Sequence, residues 1–135
     1  VEAVDNARQN ADGVVVELPG GLFTPLADRI CNVDLAGALK PDAVLLVAPD
    51  RLGVLHDVIA TLRAASTAGV SIAGIVLVAP EQADASTTRN AGELSRTTDA
   101  AVLAVLPRAS PAALSELPAM ARLVEALSAA TRPAD

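Results

Sequence analysis

The sequence predicts an α/β protein in which a parallel sheet carries helices on both faces. Four apolar runs of strand length, at residues 14–17, 44–47, 72–78 and 101–106, are continuous rather than alternating, as suits strands buried on both sides. Stretches with helical spacing separate them, so the chain reads as repeated β-α-β units with right-handed crossovers. The third observation is where polar chemistry falls. Glu17 closes the first run and Leu18-Pro19-Gly20-Gly21 follows it, at the carboxyl end of a strand, where open sheets place their ligand crevice.

The elements follow in order. Residues 1–10 carry Val1, Val4 and Ala7 on one helical stripe, and Ala11-Asp12-Gly13 interrupts it. After the Gly20-Gly21 loop, Asn32 or Asp34 is the expected cap of a short helix through Leu39, closed by Lys40-Pro41. The second strand leads into the turn Pro49-Asp50-Arg51-Leu52-Gly53. A long amphipathic helix is then predicted over 54–68, with Leu55, Val58, Ile59, Leu62 and Ala65 on one face and Gly69 ending it. The third strand is followed by a polar connection, and a weaker helix is expected to begin at Asp84 or Ser86. Pro107 terminates the fourth strand. Pro118 kinks or divides the closing helical stretch 111–130. Residues 1–130 are expected to form one domain and 131–135 a frayed tail.

Composition narrows the function classes. With 135 residues and 52% hydrophobic content the chain supports one sizeable core. A net charge of −6 and an aromatic content of 1% leave neither a basic stripe nor stacking platforms, so no nucleic-acid partner is expected. The apolar runs are too short to cross a bilayer, which excludes a membrane role. A single cysteine, Cys31, cannot form an internal disulfide and reads as a small inert hydrophobe. Together with the absence of a signal-like opening segment this makes the cytoplasm the expected location. One histidine and one cysteine supply no usual zinc set. No G-x-S-x-G elbow and no G-x-x-x-x-G-K-[ST] loop occurs. His56 reads as a helix-surface residue, while Asp28 and Asp50 either line the crevice or, the more ordinary explanation, are solvated loop charges.

The residues carry a resemblance. The run from Ala11 to Asp28, ADGVVVELPGGLFTPLAD, is similar to the signature V-E-G-A-G-G-x-x-x-P-x-x-D of dethiobiotin synthetases. The likeness continues through Arg51-Leu52-Gly53, through Ala68-Gly69-Val70-Ser71-Ile72-Ala73-Gly74-Ile75-Val76, and reaches Leu106-Pro107. It implies a P-loop NTPase-like fold whose phosphate-loop half lies outside these residues, so that the chain corresponds to the C-terminal half. It also implies a homodimeric enzyme that closes the ureido ring of dethiobiotin from 7,8-diaminopelargonic acid and carbon dioxide, using ATP and Mg2+ in biotin biosynthesis. By the resemblance Glu17 is a magnesium ligand, and Gly20, Gly21 and Pro107 belong to the nucleotide and phosphate region. Leu52, Gly53, Val54 and Leu55 match the helix N-terminus that receives the substrate carboxylate, a setting in which backbone N–H groups favour an anion.

Departures from the pattern stand beside these matches. Leu18-Pro19 replaces Gly-Ala, and proline removes an N–H next to the metal ligand. Val78 stands where the family carries an adenine-recognising asparagine, and offers a base edge no hydrogen bond. His56 and Asp57 replace an asparagine and a histidine. By itself the chain is therefore expected to bind no ATP. The alternative to a ligase half is a non-catalytic dimerisation or scaffold module derived from the same family.

Overall fold

The computed structural model describes residues 1–18 and 20–130; Pro19 and the predicted tail at 131–135 lie outside the described residues. Three parallel strands form the centre: β3 (Leu45–Pro49), β4 (Gly74–Val78) and β5 (Val102–Leu106), in the order β3-β4-β5. Leu46 pairs with Ile75 and Ala48 with Leu77, while Val76 pairs with Ala104 and Val78 with Leu106. Each crossover is helical, through α3 (Val54–Thr67) and α4 (Asn90–Thr97). This is the sequence of elements that a parallel sheet requires.

Alternation along β4 divides the core into two layers. Ile75 and Leu77, both fully buried, face Ala48, Val54, Val58 and Leu94, so α3 and α4 cover this side. Val76 faces the other way, with Ala104, Leu106 and Leu123 of α6 (Pro118–Ala130). Side chains at successive strand positions point to opposite faces, and both faces of β4 are thus covered. On the α6 side the cover does not reach all of β3. Val47 shares the side of Val76 but is 60% exposed, against 3% for Val76.

The helices form for local reasons. The stripe expected on α3 is the packed one: Val58 and Ala65 are buried, and Leu55, Ile59 and Leu62 pack on the core beside Val54. Gly53 (φ +92°) and Gly69 (φ +74°) bracket α3 with left-handed backbone that glycine adopts without strain. The closing stretch is divided at Pro118 into α5 (Pro111–Ser115) and α6. Ser110 caps α5 by accepting the Ala113 amide. At the other end α1 (Glu2–Arg8) is tied to the domain by Arg8, whose guanidinium donates to the Leu39 carbonyl (3.0 Å).

Several expectations are corrected. Residues 14–17 form no strand: the segment makes no ladder with any described residue, and Val15 is 98% exposed. A β-branched run favours extended backbone, but a strand also needs an edge to pair with. Between Gly21 and α2 (Asn32–Leu39) lies an unexpected antiparallel hairpin, β1 (Pro25–Ala27) with β2 (Ile30–Cys31), turned by Arg29 at φ +58°. The cap of α2 is Cys31, not Asn32 or Asp34, and the Asp34 carboxylate accepts the Cys31 amide (2.7 Å). α4 starts at Asn90, later than expected, because Asp84 and Ser86 bond to each other and Thr88 takes φ +73°, which a helix cannot contain.

Candidate functional site

The carboxyl ends of β3 and β4 converge on the turn 50–53 and the connection 79–89. Asp50 continues the ladder by donating its amide to the Val78 carbonyl (2.8 Å), which draws its side chain inward. It is 1% exposed, not the solvated loop charge that the sequence suggested. Its carboxylate accepts the Thr88 amide (2.8 Å) and Nδ2 of buried Asn90 (2.7 Å). A buried carboxylate survives only with such donors.

Asp84 makes the reverse connection. Its carboxylate accepts the Leu52 amide (2.8 Å), and its other oxygen accepts the Ser86 hydroxyl (2.6 Å) and amide (2.8 Å). These donors, the Ser86 hydroxyl foremost, lower the Asp84 carboxyl from 3.8 to about 2.

The same turn opens α3. Of the four residues matched to a substrate carboxylate site, Leu52 spends its amide on Asp84 and Val54 donates to the Arg51 carbonyl (3.1 Å). Among the described residues no acceptor takes the amides of Gly53, Leu55 or His56. The anion-binding capacity of this helix start therefore rests on those three. The His56 side chain is exposed, as expected, and Asp57 pairs with Arg51 (3.4 Å).

Beside the turn lies an open cleft of about 440 Å³, lined among others by Pro49, Arg51, Val78, Pro80, Glu81 and Arg108. Pro49, Val78 and Pro80 give it apolar lining, and Arg51, Glu81 and Arg108 bring charges of both signs, with Arg51 already engaged by the Leu52 carbonyl and Asp57. Pro107 is exposed, one residue before Arg108, and does not itself line the cleft.

The glycine loop is built separately. Gly20 has φ +76°, and a Cβ there would lie 2.7 Å from Thr24 Oγ1, so conformation and space both call for glycine. Thr24 Oγ1 accepts the Gly21 amide (2.9 Å), and Nδ2 of wholly buried Asn32 donates to the Gly21 carbonyl (3.0 Å). No hydrogen bond among the described residues joins this loop to the turn 50–53. Glu17 is exposed and makes no hydrogen bond or ion pair among the described residues.

No three His, Cys, Asp or Glu side chains come together among the described residues. One uncommitted carboxylate such as Glu17 fits a cation whose remaining ligands are phosphate oxygens and water, the usual setting of Mg2+. Asn32, Thr24, Asn90 and Thr88 were not singled out from the sequence as site residues. Only the Asp84-x-Ser86 spacing, typical of an Asx turn, carried a signal for any part of this network.

A parallel sheet with helices on both faces and a cleft beyond its carboxyl edge defines an α/β protein. A family model described as an AAA domain matches residues 1–113, which makes its type that of the P-loop NTPases. The chain is also similar to ATP-dependent dethiobiotin synthetase BioD of Rhodopirellula baltica, at 50% identity over 63% of this chain and 37% of the relative. The corresponding enzyme of Anaeromyxobacter dehalogenans is 42% identical over 79% of this chain and 48% of its own length. That of Aromatoleum aromaticum is 33% identical over 90% and 53%. The chain belongs to the dethiobiotin synthetase family, and it spans about half the length of the curated relatives it matches. No helix among the described residues is long and apolar enough to cross a membrane.

Proposed function

We propose that these residues are the C-terminal half of an ATP- and magnesium-dependent dethiobiotin synthetase, acting on 7,8-diaminopelargonic acid once joined to a half that carries the phosphate loop. One observation carries the reading: the family match over residues 1–113 takes in Glu17, Gly20-Gly21, the turn 52–55 and Pro107 together. Exposed Val15, Val16 and Val47 support it, since further chain laid along residues 14–17 and the outer side of β3 would bury them.

In this reading Glu17 contributes one oxygen to Mg2+, which supplies charge neutralisation at the ATP phosphates. Gly20 and Gly21 let backbone approach those phosphates, and the amides of Gly53, Leu55 and His56 receive the substrate carboxylate. The enzyme is a cytoplasmic homodimer in which the α3 N-terminus faces the subunit boundary.

The test is the full-length gene product, purified and supplied with diaminopelargonate, bicarbonate and magnesium-ATP. Formation of dethiobiotin is the expected result. A dimer that folds but forms none would favour the scaffold reading, to which the apolar Val78 in the cleft already lends weight.

A further inference from the structure

Two carboxylates cross between the same two loops in opposite directions. Asp50 leaves β3 and accepts from Thr88 and Asn90 in the β4–α4 connection, whereas Asp84 leaves that connection and accepts the Leu52 amide of the β3–α3 turn. The two are not equivalent. Asp50 is buried and anchors the connection, while Asp84 is exposed and held in place by Ser86. An exposed carboxylate adds little to a fold by its charge alone, so the geometry of what it holds becomes the informative feature.

What it holds is the peptide immediately before Gly53. That glycine starts α3 at φ +92°, a conformation from which glycine departs more easily than any other residue. The orientation of the open amides at Gly53, Leu55 and His56 depends on how this junction is fixed. Arg51 stiffens it from one side, donating to the Leu52 carbonyl (3.0 Å) and to Asp57. Asp84 fixes it from the other.

We propose that Asp84 is a positioning residue for the anion end of the site, holding Leu52 and Gly53 so that the first amides of α3 stay directed at a single ligand carboxylate. The proposal rests on the ligase reading for the identity of that ligand. The same connection walls the cleft through Pro80 and Glu81, so Asp84 also ties the wall of one subsite to the floor of the other. A carboxylate so close to these amides has a second conceivable role, as a competitor of the ligand anion. The two roles differ in what Asp84→Asn does. The amide oxygen of asparagine can still accept the Leu52 N–H, but its Nδ2 then faces the Ser86 N–H, so the anchoring is kept in part while the competing charge is lost altogether.

The experiment uses the full-length protein with Asp84→Ala and Asp84→Asn. Hydrogen exchange, which needs no substrate, is expected to quicken about tenfold at Leu52 in Asp84→Ala, the effect of losing one charge-assisted bond. Asp84→Asn is expected to lie between the wild type and Asp84→Ala. In steady-state assays Asp84→Ala should raise KM for diaminopelargonate about tenfold, with kcat and the KM for ATP little changed and Asp84→Asn again intermediate. Unchanged exchange in Asp84→Ala overturns the proposal, as does faster exchange with an unaltered KM. A lowered KM in Asp84→Asn overturns it in favour of competition. If the unmutated protein forms no dethiobiotin, the positioning role falls with the ligase reading, and the exchange data still show whether the contact exists.

Discussion

Replacing Asn90 by aspartate sets a second carboxylate against Asp50 and turns the centre of the loop network into a pH-dependent fault. In the native protein Asn90 Nδ2 donates to Asp50 Oδ1 at 2.7 Å, and the two residues are 3% and 1% exposed. Two unit charges at that separation repel by about 6 kcal/mol at an effective dielectric of about 20. Keeping the introduced carboxyl protonated at pH 7 costs about 4 kcal/mol, from its ordinary value near 3.9 and about 1.4 kcal/mol per pH unit. Protonation is the cheaper course, and the acid O–H then donates where the amide did.

The variant should therefore lose about 4 kcal/mol relative to the wild type at pH 7 and about 1.5 kcal/mol at pH 5. The sign follows from proton counting. The folded variant binds a proton that the unfolded chain does not, so its stability rises as pH falls. Urea unfolding of both proteins at the two pH values measures the difference. The double variant Asp50→Asn/Asn90→Asp reverses the donor and acceptor, and should remove most of the pH dependence while retaining the Thr88 contact. An Asn90→Asp penalty that is the same at pH 5 and pH 7 would refute the close approach of these side chains.

Three further outcomes are expected. Glu17→Gln in the full-length protein keeps size and removes charge; dethiobiotin formation should fall about a hundredfold, with an unchanged thermal melt, and wild-type turnover would rule out the metal-ligand role. Leu77→Ala, at a fully buried position on β4, should cost about 2–5 kcal/mol in denaturant unfolding, and a loss well under that range would mean that this layer of the core is looser than described. The lowered Asp84 carboxyl contributes stability that is present above its ordinary value of 3.8 and is lost as pH falls toward about 2. The stability gap between the wild type and Asp84→Asn should accordingly stay constant near neutrality and close over that acid range; a gap that persists through it would exclude ionisation as its source.

Elements whose limits are set by their own residues were legible in the sequence. α3 was expected over 54–68 and runs from Val54 to Thr67, because its apolar stripe and both bracketing glycines are local signals. The division at Pro118 is equally local, since proline lacks the N–H that a continuous helix would use there. The Asp50–Asn90 and Asp84–Leu52 contacts span 40 and 32 residues. No periodicity reports a pairing at that distance, and a lone aspartate after a strand looks the same whether solvated or buried. The start of α4 failed for a related reason: Asp84 and Ser86 are good caps, but here their side chains bond to one another and to the turn at Leu52.

The unpaired segment at 14–17 has a different origin. Val14-Val15-Val16 is as strand-like as Ile75-Val76-Leu77, yet Ile75 and Leu77 are fully buried and Val15 is 98% exposed. Side-chain branching makes the backbone extended in both cases, whereas the ladder and the covering helices belong to neighbours. β4 has β3 and β5 on its two edges and helices above and below, while β3 has β4 alone and leaves Val47 uncovered on the side that α6 serves for Val76. The two apolar surfaces left open, one at 14–17 and one along β3, are thus a property of which partners are present rather than of poor strand formers. Such a surface is costly in a monomer and inviting to another strand. β5 likewise has β4 alone, but α6 covers its face, so β3 is the edge of the described sheet that combines an open ladder with an uncovered apolar side chain.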